Sequence, residues 1–306
     1  MTTTHDGEVC RLGGSLNPES RQDQVRATRC KDRVAVETSC LPSNLEPRPS
    51  DLTFFGHSLP VTESANLALI LVTFALGLIV DQRGGLAGQL AVSVWTWGVF
   101  FWLLRTSPRE WRLPFYACLV WATAGEILLS LVWVLYTYRL GNIPFFIPPG
   151  HVLVFYLGLV MAPRVPRAFV VLVPAAAIGY AAFALNDGSD TISIPLTVLF
   201  ILCMQQPEGL RRYAVIFVAA LMVEVYGTWI GNWVWHQDVP YLGLKSANPP
   251  LAAGAFYCAL DVLVGLTVRE LKRLPRMASA LRLTASAQMP QVENKPLVRA
   301  HIWPHG

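Results

Sequence analysis

Charge is scarce in this chain. Only 14% of its 306 residues are Asp, Glu, Lys or Arg, against 53% hydrophobic, where a soluble domain carries about 25% charged residues. What charge exists is segregated. Residues 1–60 are polar, the tail after Leu271 is basic, and the stretch between is nearly charge-free. That is the composition of a multi-pass membrane protein. Cysteine pairing is missing too: no two of the six cysteines have C-x-x-C spacing, so neither a zinc site nor a disulfide framework is expected. Cys10, Cys30 and Cys40 fall in the polar tail, and Cys118, Cys203 and Cys258 in apolar segments. There is no H-x-x-H or H-E-x-x-H pair for a metal, no G-x-x-x-x-G-K-[ST] phosphate loop and no G-x-S-x-G elbow. No apolar segment holds a lysine, which argues against a retinal Schiff base. The net charge of +4 comes from residues at loop ends, so no nucleic-acid partner is implied. No cofactor is implied either. Residues 1–60 lack a basic start followed by an apolar stretch and show no period; a disordered tail is expected, not a signal peptide.

Eight apolar segments are each long enough to approach the ~30 Å of a bilayer core: 64–81, 86–105, 112–138, 144–162, 166–185, 190–206, 210–235 and 249–270. Pro195 interrupts the short sixth one. Turn residues separate them, as at Gly84-Gly85, Gly141-Asn142 and Asn186-Asp187-Gly188. Twelve basic residues, among them Arg105, Arg164, Arg211 and Arg269, fall at one set of segment ends, and only Arg83, Arg139 and Lys245 at the other. This bias predicts both termini on the cytoplasmic side. The basic run Arg269–Arg276 suits contact with anionic lipid. The expected architecture is an all-α bundle of about eight transmembrane spans. It occupies 61–271, between a disordered tail at 1–60 and a basic tail at 272–306.

Near the middle of the apolar stretches sit three acids: Glu126, Glu224 and Asp261. An acid at the bilayer centre costs roughly 2.5–3.5 kcal/mol on insertion scales, so each is a functional candidate. Two open the same local pattern. Glu126 is followed by Ser130, then Trp133 and Tyr136, then Ile143-Pro144 and Pro148-Pro149-Gly150-His151. Glu224 is followed by Thr228, then Trp229, Trp233 and Trp235, then Val239-Pro240 and Asn248-Pro249-Pro250. The pattern predicts two parallel repeats, about 64–162 and 166–270, with a site between them. Helical spacing puts Glu126, Ser130, Trp133 and Thr137 on one stripe. It puts Glu224, Thr228, Gly231 and Trp235 on another, with Asn232 beside it.

A carboxyl desolvated among apolar groups favours its neutral form and can act as a proton donor. Its substrate would itself dissolve in lipid. An isoprenoid double bond fits: protonation gives a carbocation, which Trp and Tyr faces stabilise, and which water or an internal double bond then quenches. Glu126, Glu224, Asp261 and His151 are the catalytic candidates, His151 as a proton shuttle. Trp133, Tyr136, Trp229, Asn232, Trp233 and Trp235 are the candidates for binding substrate. No metal is needed. Two other functions use the same features: a proton-coupled transporter built on the repeat, and a membrane scaffold in which neighbours tie up the acids.

The twofold pattern, over roughly 120–160 and 220–262, resembles the membrane carotenoid hydratases of the bisanhydrobacterioruberin-hydratase type. Those would carry Gly-Val-Pro at both loops, where this chain reads Asn142-Ile143-Pro144 and Asp238-Val239-Pro240. The resemblance implies water addition to an isoprenoid end group.

Overall fold

The structure, a computed structural model, describes residues 53–54, 57–58, 61–206 and 209–288, with side chains as far as Leu274. Most of the tail expected to be disordered, with Cys10, Cys30 and Cys40, lies outside the described residues, as do residues 289–306 of the basic tail. Strands β1 (Thr53–Phe54) and β2 (His57–Ser58) form a small antiparallel pair.

The protein is mostly helical. Helix α1 (Val61–Val72) runs through a π-helical turn (Thr73–Gly77) into α2 (Leu78–Thr106). A straight helix of that length would be about 70 Å long at 1.5 Å per residue. Instead it folds back at Gly85, whose φ of +58° and ψ of −145° suit glycine alone. The arms lie antiparallel. Trp102 Nε1 donates to Asn66 Oδ1 at 2.9 Å, and Trp95 Nε1 to Thr73 Oγ1 at 3.0 Å. The two predicted segments at 64–81 and 86–105 are therefore the arms of this hairpin.

Next come α3 (Arg112–Glu126) with a second π-helical turn (Ile127–Val132), strand β3 (Tyr136–Tyr138), α4 (Ile147–Met161), α5 (Phe169–Asp187) and α6 (Ser193–Cys203). After them follow α7 (Leu210–Ile230), β4 (Trp233–Trp235), β5 (Asp238–Val239), β6 (Leu244–Lys245) and α8 (Gly254–Gln288). Pro148 and Pro149 open α4, where their missing N–H groups cost nothing. Pro195 also lies in the first turn of its helix and does not interrupt it. The eighth segment does not stop near 270; α8 continues through its basic residues to Gln288.

Among the described residues, four helical stretches are long and apolar enough to cross a membrane: Val61–Thr106, Arg109–Val132, Phe169–Asp187 and Leu210–Ile230. Their outer faces carry exposed apolar side chains such as Val94, Val120, Leu172, Met222 and Trp229. Soluble monomers rarely show so much contiguous apolar surface. Helix α6, at 11 residues, rises only about 17 Å.

Two predicted helical segments end early. The third was expected to reach 138 and the seventh 235. The first stops at Val132 and the second at Ile230, where Gly231 takes a left-handed conformation. Each chain then turns back as a three-residue strand. β3 and β4 pair antiparallel, Tyr136 with Trp235, Thr137 with Val234 and Tyr138 with Trp233. Helices α3, α4, α7 and α8 pack on one another, and the ribbon lies against α7 and the π-helical turn that follows α3.

Candidate functional site

The ribbon aims aromatic donors inward. Tyr136 and Tyr138 are buried with Thr137 exposed; Trp233 and Trp235 are buried with Val234 exposed. This is the period-2 alternation of a strand. The expected helical stripes through Thr137 and Trp235 do not form, because both helices end first. The aromatics reach their carboxylates by folding back.

Each carboxylate receives two donors from its own strand. Glu126 Oε2 accepts from the hydroxyls of Tyr136 at 2.9 Å and Tyr138 at 2.6 Å. Glu224 Oε2 accepts from the indole N–H groups of Trp233 at 2.9 Å and Trp235 at 3.1 Å. Gly227 makes the second arrangement possible: a Cβ there would stand 2.0 Å from the Trp233 ring. The hydroxyls four residues after each acid do not touch it. Ser130 and Thr228 donate instead to the backbone carbonyls of Glu126 and Glu224.

His151 and Tyr257 join the two acids. His151 Nδ1 lies 3.0 Å from the Ile147 carbonyl. A carbonyl only accepts, so Nδ1 carries the ring proton and Nε2 of the neutral ring is an acceptor. That Nε2 faces Glu126 Oε1 at 3.5 Å, loose for a hydrogen bond but within reach of one after a small movement. The imidazole stacks on Tyr257, ring centroids 4.6 Å apart. The Tyr257 hydroxyl donates to Glu224 Oε1 at 3.3 Å.

The two acids differ in what they can do. Indole N–H groups donate only, so Glu224 Oε2 is held as an acceptor. Tyrosine hydroxyls can donate or accept, and Glu126 Oε1 faces a ring nitrogen that accepts a proton. Glu126 is the better proton carrier and Glu224 the better proton acceptor.

Both acids line a cavity of two lobes that share Glu126, Tyr136, His151, Glu224 and Tyr257. The smaller lobe, about 40 Å³, is walled by Thr73, Leu78, Val92, Thr96, Phe146 and Gly150 among others, none of them exposed. The larger lobe, about 260 Å³, lies between α3 and α8 and includes Trp133, Trp235 and Phe256.

Of the residues singled out in the sequence, Glu126, Glu224, His151, Tyr136, Trp133, Trp233 and Trp235 come together at this cavity. Three do not. Asp261 is buried against Arg212, whose Nη2 and Nε lie 2.9 and 3.1 Å from its Oδ2. Asn232 Nδ2 donates to Asp81 Oδ2 at 2.5 Å and to the Leu78 carbonyl. Trp229 is 79% exposed on the outer face of α7. Tyr138 and Tyr257 also belong to the site. Tyr138 had a signal, since Tyr-Thr-Tyr alternates as Trp-Val-Trp does. Tyr257, in the apolar start of α8, had none.

Two further acids, Asp81 and Asp190, are buried away from the cavity. Asp81, at the end of the first apolar segment, anchors Asn232 and lies 3.6 Å from Arg139 Nη2. Asp190 is fully buried and accepts from Tyr180, Ser193, Ala247 N and Leu251 N. It ties the approach to α8 to α5 and α6. Among the described residues, no group of three His, Cys, Asp or Glu is placed to hold a metal ion. Comparison with known proteins returns no match to a family model, a curated protein or a solved structure.

Proposed function

We propose that this chain is an integral membrane enzyme that adds water to a double bond of a lipid-soluble isoprenoid, a carotenoid or polyprenyl chain. One observation carries the proposal: two carboxylates from different helices, each held by two aromatic donors of a shared ribbon, line one apolar cavity.

The chemistry runs as acid then base. Glu126 gives the proton on Oε1 to the double bond, leaving a carbocation beside the faces of Tyr136, Trp133 and Trp235. Water attacks the cation, and Glu224 Oε1 takes the proton that water releases. The product is a tertiary alcohol. Water in the smaller lobe carries the proton from Glu224 to His151 Nε2, which passes it to Glu126 Oε1. The smaller lobe suits the water: at about 10–15 Å³ for each molecule it holds only a few. The cation has water within reach there, which favours hydration over cyclisation. The mainly apolar walls of both lobes favour the enzyme over a proton-coupled transporter, which needs a continuous polar path.

The same proposal includes the finer architecture. Eight spans form two parallel repeats, at about 64–162 and 166–270, with both termini cytoplasmic and the site between the halves. The matched order of acid, helix end, inward strand and returning helix supports it, as does the resemblance to the carotenoid hydratases. The test is expression beside an acyclic carotenoid or polyprenyl pathway, with products profiled by mass. The wild type yields products heavier by one water; Glu126→Gln and Glu224→Gln, present at equal protein level, yield none. Unchanged products for every chain tried would reject the proposal.

A further inference from the structure

We infer that the larger lobe is a lateral portal, open to the bilayer between α3 and α8, that takes one end of a linear isoprenoid chain, and that Gly125 sets the bulk of the end group admitted. This rests on the acid–base reading above for the kind of chain, but its evidence is separate.

The two walls of the lobe come from different helices. Trp121, Gly125 and Leu128 stand on the α3 side, and Phe256, Leu260 and Leu263 on α8. Its rim is exposed: Leu128 by 53% and Leu263 by 38%. The exposed rim residue Leu128 belongs to Arg109–Val132, a stretch long and apolar enough to cross a membrane, so the mouth faces hydrocarbon. A hydrogen bond from Trp121 Nε1 to Thr267 Oγ1, 2.9 Å, joins the two helices and bounds the crevice at one end. The volume of about 260 Å³ falls below the ~300–1,000 Å³ that encloses a whole drug-sized ligand. A long chain can place only its end there, with the remainder in the mouth and the lipid.

Gly125 immediately precedes the acid and lines this lobe. A Cβ built on it meets nothing within 4 Å, so any side chain there would project into open space and occupy room the end group needs. Gly179 of α5 is as uncrowded and lines neither lobe. It serves as the matched control.

The test uses the full chain in lipid bilayers with a polyprenyl chain that carries a diazirine on its terminal unit. Labelled peptides are mapped by mass spectrometry after irradiation. Label is expected on peptides covering 121–133 and 253–263. Gly125→Leu should lower it about tenfold by overpacking the lobe. Gly125→Ala, which favours the helix, should lower it less, and Gly179→Leu not at all. Label on α5 or α6 instead would overturn the inference. So would equal labelling in wild type and both Gly125 variants, or an equal loss in Gly179→Leu. If the label follows the expected pattern while the wild type hydrates no chain, the portal stands and the acid–base proposal falls.

Discussion

Replacing Glu224 separates its structural role from its chemical one. Its Oε2 accepts from Trp233 and Trp235, and its Oε1 from Tyr257. In Glu224→Gln the amide oxygen still accepts both indoles, and the amide N–H can donate to the Tyr257 hydroxyl, which turns to accept. Stability should change by no more than about 0.5 kcal/mol, while proton transfer is lost. In Glu224→Leu two buried N–H groups lose their acceptor, and an indole cannot rotate to find another. At roughly 1–3 kcal/mol for each stranded donor, the loss is ~2–6 kcal/mol. Adding Trp233→Phe and Trp235→Phe to the Leu variant removes the stranded donors and should recover much of that loss. Glu126→Leu should cost less than Glu224→Leu, because tyrosine hydroxyls can reorient. Unfolding in detergent, followed by indole fluorescence and near-ultraviolet circular dichroism, measures all of these. Equal stability of Glu224→Leu and Glu224→Gln would refute the idea that the indoles depend on this carboxylate.

Other substitutions probe the surroundings. Gly227→Ala places a Cβ 2.0 Å from the Trp233 ring; it should cost about 1–3 kcal/mol and shift the indole emission, and an unaltered spectrum with unaltered stability would contradict the packing. Arg212→Met leaves Asp261 buried without its partner and should cost ~3–5 kcal/mol, most of it regained when Asp261→Asn is added; no regain in the double variant would refute the pairing. Gly150→Val fills open space in the smaller lobe; a stable protein whose product is a double-bond isomer without added water is expected by mass analysis, and a wild-type yield of hydrated product would show that the water is held elsewhere.

The sequence displayed the acids because charge stands out in an apolar segment. It displayed the helix partition because turn residues separate the segments. Pro148-Pro149 marked the start of α4 correctly. What it hid was the change of period after each acid. Tyr136-Thr137-Tyr138 and Trp233-Val234-Trp235 read as more helix, since three alternating residues are a faint signal against an apolar background. Only the pairing of β3 with β4, almost a hundred residues apart, makes strands of them. Read as helix, Trp235 falls on a helical stripe that the structure does not form. Asp261 looked like a third member of the site because depth along a span was legible and direction around it was not. Its partner Arg212 sits on α7, and the approach of the two depends on how α7 packs against α8. Asp81 and Asp190 stood among turn residues, where acids are usually solvated, and no local pattern shows that either is buried.

The claim that most depends on tertiary structure is that the β3–β4 ribbon joins the segments following α3 and α7 and so brings Glu126 and Glu224 to one cavity. Thr137 and Val234 are direct partners in that ribbon and both are exposed. Antiparallel partners have Cα atoms about 4.5–5.5 Å apart, within the range a disulfide spans. Thr137→Cys with Val234→Cys, oxidised in membranes and mapped by mass spectrometry, should give a linked peptide in high yield with the protein still folded. No linked peptide from a folded protein, or linkage of either position to the native Cys118, Cys203 or Cys258 instead, would contradict the account.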